Sequence, residues 1–208
     1  MLFPGAIFRL PGNGPKKRVF LTFDDGPIPQ ITPWVLDMLD RYGIKATFFM
    51  VGQNIERYPD ILEDIKRRGH ATGNHTLHHM KGGFGSSSKE YLKDSHEGAR
   101  LSESSLFRPP HGWLSPFKLS QIKKHYSVVM YDLVTRDYSR FLNSDEVIGN
   151  VKKFTRDGSI IVFHDSLKSW DRLERALPKS IEWLLQEGYE FELLSPKIIN
   201  QISASNHP

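Results

Sequence analysis

Several short stretches of this 208-residue chain carry side chains suited to hydrolysis: Asp24-Asp25, His75 with His79, Arg108 to Gly112, Asp132 with Asp137, and His164-Asp165. Adjacent carboxylates at the end of a strand point in different directions, because strand side chains alternate. One can bind a cation while its neighbour meets a water on that cation. His75 and His79 are four residues apart, so on a helical turn they share a face and could grip one metal. Thr76 lies between them, so this is not the H-E-x-x-H of zinc proteases, and the base must come from elsewhere. The Asp pair is its obvious source. Two His and one carboxylate with open positions make a hydrolytic site, since the metal lowers the pKa of its water. His164, on a separate strand, could protonate a leaving amine. The chain has no cysteine, which excludes thiolate ligands and nucleophiles and leaves any metal to His and carboxylates.

The elements that must position these residues alternate along nearly the whole chain. Strands are expected at Val19–Phe23, Ala46–Val51, His70–Asn74, Leu106–Pro109, Ser127–Asp132, Ile160–Phe163 and Phe191–Leu194. Helices are expected between them: one capped by Thr32 with Pro33 at its first position, one from about Pro59 to Gly69, then Ser88–Leu101, Pro116–His125, Asp145–Phe154 and Leu173–Gln186. This rhythm implies parallel βαβ units, and both a barrel and an open doubly wound sheet fit it. In either, functional residues collect at the carboxyl ends of strands. Each of the chemical stretches falls at such an end, so all converge on one rim. Pro11–Lys17 and Gly82–Ser88 read as loops.

Hydrophobic residues make up 38% of the chain and charged residues 25%, which suits a globular protein with one sizeable core. No stretch is apolar enough to span a bilayer. The opening MLFPGAIFRL lacks a basic n-region and is a poor secretory signal, so a cytoplasmic location is favoured; an extracytoplasmic one stays open if a leader has been removed. The net charge of +4 suits anionic partners, but no aromatic-basic motif supports nucleic-acid binding. Oligomeric state is not legible.

TFDDG at Thr22–Gly26, H-T-x-x-H at His75–His79, RPPxG at Arg108–Gly112 and FHD at Phe163–Asp165 resemble, in order, the signatures of the polysaccharide deacetylase family (NodB homology, carbohydrate esterase family 4). The resemblance spans about Lys17 to Leu194 and implies one catalytic domain over residues 1–208, folded as a distorted (β/α)7-type barrel of parallel strands. It implies that Asp25, His75 and His79 hold one divalent metal, zinc by preference, with Co2+, Ni2+ or Mn2+ as alternatives. Asp24 resembles the general base and Arg108 the arginine that orients and tunes it. The backbone N–H of His111 takes the oxyanion position, His164 the general acid, and Asp137 the carboxylate that keeps His164 protonated. Thr76 is expected to hydrogen-bond within the metal loop.

Three positions depart from the family pattern. His111 stands where an aromatic Tyr or Trp is usual, Tyr138 where Trp is common, and Val162 where Leu is usual. The last two help line the acetyl-methyl pocket, so they bear on acyl preference. Trp113 and Trp170, in rim loops, are candidates for sugar stacking. His78 is expected beside the ligand pair or exposed, and His70 as a structural residue. Asp165 is expected to cap the following segment, and Asp132 to be structural. The implied substrate is an N-acetylated amino-sugar carbohydrate: peptidoglycan, chitin-like oligomers or a related glycan. The alternatives are O-acetyl ester hydrolysis, a non-sugar amidohydrolase and a silent glycan-binding homologue.

Overall fold

The computed structural model describes residues 3–12, 15–83 and 85–199; Asn13, Gly14 and Phe84, inside the two loops expected from sequence, lie outside the described residues. In chain order the elements are β1 (Lys17–Asp24), α1 (Thr32–Arg41), β2 (Thr47–Met50), α2 (Gly52–Arg57), α3 (Pro59–Arg67), β3 (Ala71–Asn74), α4 (Ser88–Ser102), β4 (Leu106–Phe107), a 3-10 turn (Pro110–Gly112), α5 (Pro116–Ile122), β5 (Ser127–Val128), β6 (Leu133–Val134), α6 (Ser144–Phe154), β7 (Ser159–His164), α7 (Trp170–Gln186) and β8 (Tyr189–Phe191).

The strands run in the order β5-β4-β3-β2-β1-β7-β6, every pair parallel, and β8 joins the start of β1. The strand expected at Ser127–Asp132 is divided. Its first half pairs with β4, then Met130 N–H donates to the Ile7 carbonyl (2.7 Å) and Asp132 N–H to the Ile160 carbonyl (3.1 Å). The segment thus crosses from the β4 edge to the β7 edge and curls the sheet into a distorted barrel. Ile7, bridged to Val129, fills the seam.

Alternation on β1 and β7 decides which side chains reach the interior. Val19, Leu21 and Phe23 pack outward with Ile161 and Phe163 against Val35, Leu36, Leu39 and Leu177 of the flanking helices. Phe20 and Ile160 face inward with Phe49, Leu106 and Val129, forming a second cluster inside the barrel. Complete burial of each such side chain contributes about 1.5–3 kcal/mol. Above this inner layer the same faces carry Thr22 and Asp24 on β1, and Val162 and His164 on β7. Register sets Asp24 beside His164.

Two helix starts differ from expectation. Thr32 is the first helical residue and Ile31 the cap, because the Thr32 hydroxyl is engaged elsewhere. Trp170, not Leu173, opens α7 and packs edge-on against Trp34 (centroids 5.2 Å). α2 has no signature in the sequence, since Gly52, Gln53 and Asn54 give no cap or apolar stripe. It is held instead by tertiary bonds: Gly52 and Gln53 N–H donate to the Thr76 and Leu77 carbonyls (both 2.9 Å).

Candidate active site

Asp24 ends β1 and points into the barrel. Arg108, at the end of β4, meets it: Nη1 donates to Asp24 Oδ1 (2.6 Å) and to Thr22 Oγ1 (2.8 Å). Nη2 donates to the Met130 carbonyl (3.0 Å), Nε to the Val129 carbonyl (3.3 Å), and the guanidinium lies 4.0 Å from the Phe49 ring centroid. Arg108 is fully buried, which depresses its pKa, while Asp24 opposes the shift. A charge so buried is tolerable only when paired and hydrogen-bonded, as this one is through Nη1, Nη2 and Nε. The arrangement fixes the rotamer of Asp24.

Asp25 is next in the chain, with φ of 85°, a left-handed conformation that turns its carboxylate away from Asp24 and toward the histidines. Its Oδ1 lies 3.2 Å from His79 Nε2 and 3.8 Å from His75 Nε2. One ligand atom from each of Asp25, His75 and His79 lies within 4.8 Å of the other two, the only such cluster of three or more among the described residues. The two histidines do not share a helical turn. Thr76 and His79 have φ of 65° and 53°, so the loop is irregular, and its ends meet because side chains pin it. Thr76 N–H donates to Asn74 Oδ1 (2.9 Å), Met80 N–H to Thr76 Oγ1 (3.0 Å), and His78 N–H to Asp94 Oδ2 (3.1 Å). His78 turns its own ring to Asp94 (2.6 Å), away from the cluster. Asp94, on α4, had no signal in the sequence beyond its helix.

The donor set fits a divalent cation. His75 Nδ1–H donates to the Arg108 carbonyl (2.8 Å), which fixes the tautomer and leaves Nε2 as a free lone pair. Burial pushes the His75 pKa down to about 4, so the ring is neutral at pH 7. Burial opposes ionisation of Asp25, yet the hydrogen bond from His79 and the neighbouring imidazoles hold its carboxyl well below the usual range. Two imidazole nitrogens and one carboxylate oxygen suit zinc and its neighbours.

His164 ends β7, in register with Asp24. Asp137, fully buried, accepts from the His164 backbone N–H through Oδ2 and from Nδ1–H through Oδ1, both at 2.8 Å. Burial disfavours the imidazolium, but the charge and hydrogen bond of Asp137 outweigh it and raise the pKa to about 9. Nε2–H is left to donate. Stability linked to this histidine is therefore fully present below its ordinary pKa and is lost as pH rises through about 9.

A cavity of about 260 Å³ opens over these groups. Asp24, Asp25, His75, His79, His111, Gly112, Tyr138, Val162 and His164 line it, together with Tyr131, Val134 and Lys168, which the sequence did not mark. Tyr131 comes from the segment that crosses between sheet edges, where strand alternation gives no guide, and Val134 from the two-residue strand β6 that follows it. His111 has φ of 61° and its N–H meets no acceptor among the described residues; its ring stands edge-on to His79 (centroids 4.7 Å). Tyr138 stands edge-on to His164 (4.9 Å). Trp113 does not line the cavity; it packs edge-on against Phe3 (5.6 Å) and over Gly83. His70 accepts from Ala46 N–H, and Asp132 is held by Arg156 and Ser159, both away from the site. Asp165 does not cap the segment after β7: its carboxylate reaches back to Gly26 and Thr32.

The polysaccharide deacetylase family model matches residues 11–126. A peptidoglycan-N-acetylglucosamine deacetylase of Bacillus cereus is 32% identical over 198 residues, covering 91% of each chain. The like-named protein of Listeria monocytogenes is 31% identical over 85% of this chain, which spans 38% of its length. A crystal structure of a peptidoglycan N-acetylglucosamine deacetylase superposes with a TM-score of 0.80 at 30% identity, covering 93% of this chain and 92% of the other. The chain belongs to the polysaccharide deacetylase family, a metal-dependent family of carbohydrate deacetylases.

Proposed function

We propose that this protein hydrolyses the N-acetyl group of amino-sugar residues in a glycan, releasing acetate, with zinc held by Asp25, His75 and His79. The observation that carries this reading is the flanking of that cluster by Asp24, fixed by Arg108, and by His164, fixed by Asp137. A divalent cation held by Asp25, His75 and His79 would supply an acidified water and Lewis-acid polarisation of the amide. Asp24 accepts the proton of the attacking water. The free N–H of His111 meets the developing oxyanion, which its left-handed backbone leaves exposed to the cavity. His164 donates from Nε2 to the departing nitrogen. An amine is a poor leaving group unless protonated, so an acid with a pKa of about 9 suits an amide better than an ester. Tyr138 and Val162 line the cavity, and the acetyl methyl would sit against them.

The test is acetate release, with matching free amine, from peptidoglycan, chitooligosaccharides, acetylxylan and monomeric N-acetylglucosamine. Release from the N-acetylated glycans is expected; release from acetylxylan alone would replace this reading with an esterase. Asp137→Asn should move the alkaline limb of the kcat profile down from about 9, because His164 loses the partner that keeps it protonated. An unmoved limb would remove His164 from the acid role.

Lys168 is exposed where it borders the cavity and pairs with no carboxylate among the described residues. A lone cation there favours glycans that carry carboxylates, as peptidoglycan does. Lys168→Glu is expected to raise KM for peptidoglycan fragments roughly tenfold at low ionic strength, with the effect fading as salt screens it. Equal KM values for variant and wild type would exclude this role.

A further inference from the structure

The turn after β1 has four main-chain polar groups to satisfy around Asp25. The Asp24 carbonyl accepts from Asp165 N–H (3.2 Å) and the Gly26 carbonyl from Val51 N–H (3.0 Å). The Asp25 carbonyl accepts from Asn54 Nδ2 (2.8 Å), and Gly26 N–H donates to Asp165 Oδ1 (3.1 Å). Two of the four, one on each side of Asp25, therefore belong to Asp165. Its other oxygen accepts from the Thr32 hydroxyl (2.6 Å), which itself accepts from Ile28 N–H (2.8 Å) on the far side of Pro27. Asp165 is 1% exposed, and it does not line the cavity. A Cβ on Gly26 would lie 2.0 Å from Asp165 Oδ2, so the carboxylate occupies the space a side chain there would need. Asp25 itself adopts a left-handed φ that residues with a Cβ avoid and that persists only where surroundings over-determine it.

We propose that Asp165 is a positioning residue for the hydrolytic centre: bonded on both sides of Asp25, it sets the backbone conformation that aims the Asp25 carboxylate at His75 and His79. The strand-end motif thus works in two directions. His164 faces the cavity, while Asp165, on the opposite face of the strand, governs the turn of the neighbouring strand. The inference rests on the reading of Asp25, His75 and His79 as the metal site.

The experiment measures zinc affinity by chelator competition at fixed pH for wild type, Asp165→Ala, Asp165→Asn and Thr32→Val, with melting curves in chelator and in zinc. Asp165→Ala is expected to weaken zinc about 30-fold, the scale of losing a residue that orients a ligand. Asp165→Asn keeps an oxygen for Gly26 N–H and should lose less, roughly fivefold, as should Thr32→Val. If Asp165→Ala does not fold, the other two variants carry the test. A purely structural role lowers Tm equally with and without zinc and leaves the affinity unmoved; unchanged affinity in folded Asp165→Asn and Thr32→Val would overturn the proposal. A wild type that binds no zinc would overturn the metal site itself, a separate failure.

Discussion

Asp24→Asn is expected to lower kcat roughly 10³-fold at neutral pH, the scale of a lost general base. The amide keeps an oxygen for Arg108 Nη1, so the geometry of the pair survives while the proton acceptor is gone. Stability should fall as well, by about 3 kcal/mol, because fully buried Arg108 then faces only neutral acceptors. The two effects separate when rate is expressed per folded, metal-loaded molecule. Zinc affinity should change little, since Asp24 is not among the clustered ligand atoms. A variant that keeps a tenth or more of wild-type kcat would assign proton transfer to another group.

The second large effect concerns the cation. Chelation should reduce acetate release by at least about 10³-fold, because water near its ordinary pKa of 15.7 is a poor nucleophile at pH 7. Zinc should restore the wild type but not His75→Ala, whose remaining ligands, His79 and Asp25, are both partly open to solvent. His75 also braces the Arg108 main chain through Nδ1, so its loss should loosen the Arg108–Asp24 pair as well. Full activity in metal-free protein would remove the cation from the reaction.

Much of this site was legible in sequence because the chemistry sits at strand ends, and strand ends are marked by abrupt changes of residue type. Asp24-Asp25 closes β1, Arg108 closes β4 and His164 closes β7, each after an apolar run. Alternation then separates inward Asp24 and His164 from outward Asp165. What the sequence hid lies where no period operates. The loop from His75 to His79 looks helical by spacing, yet its shape comes from left-handed residues pinned by Asn74, Thr76 and Asp94. Tyr131 reaches the cavity from the segment that leaves one sheet edge for another, and Val134 from the short strand β6 after it. Trp113 and Trp170 have the residue type for sugar stacking, but neither lines the cavity, and each has one edge-on aromatic contact, with Phe3 and Trp34. Asp165 lies next to a catalytic residue in sequence, and only the three-dimensional path of β1 against β7 reveals what it touches.

The central claim, that a cation at Asp25, His75 and His79 and the base Asp24 together remove acetyl groups from a glycan, has one most direct test. Acetate release from N-acetylated chitooligosaccharides and peptidoglycan fragments is measured for chelated wild type, zinc-restored wild type and zinc-restored Asp24→Asn. Release is expected in the zinc-restored wild type alone. No release from folded, zinc-loaded wild type, or equal release from all three samples, would contradict the account.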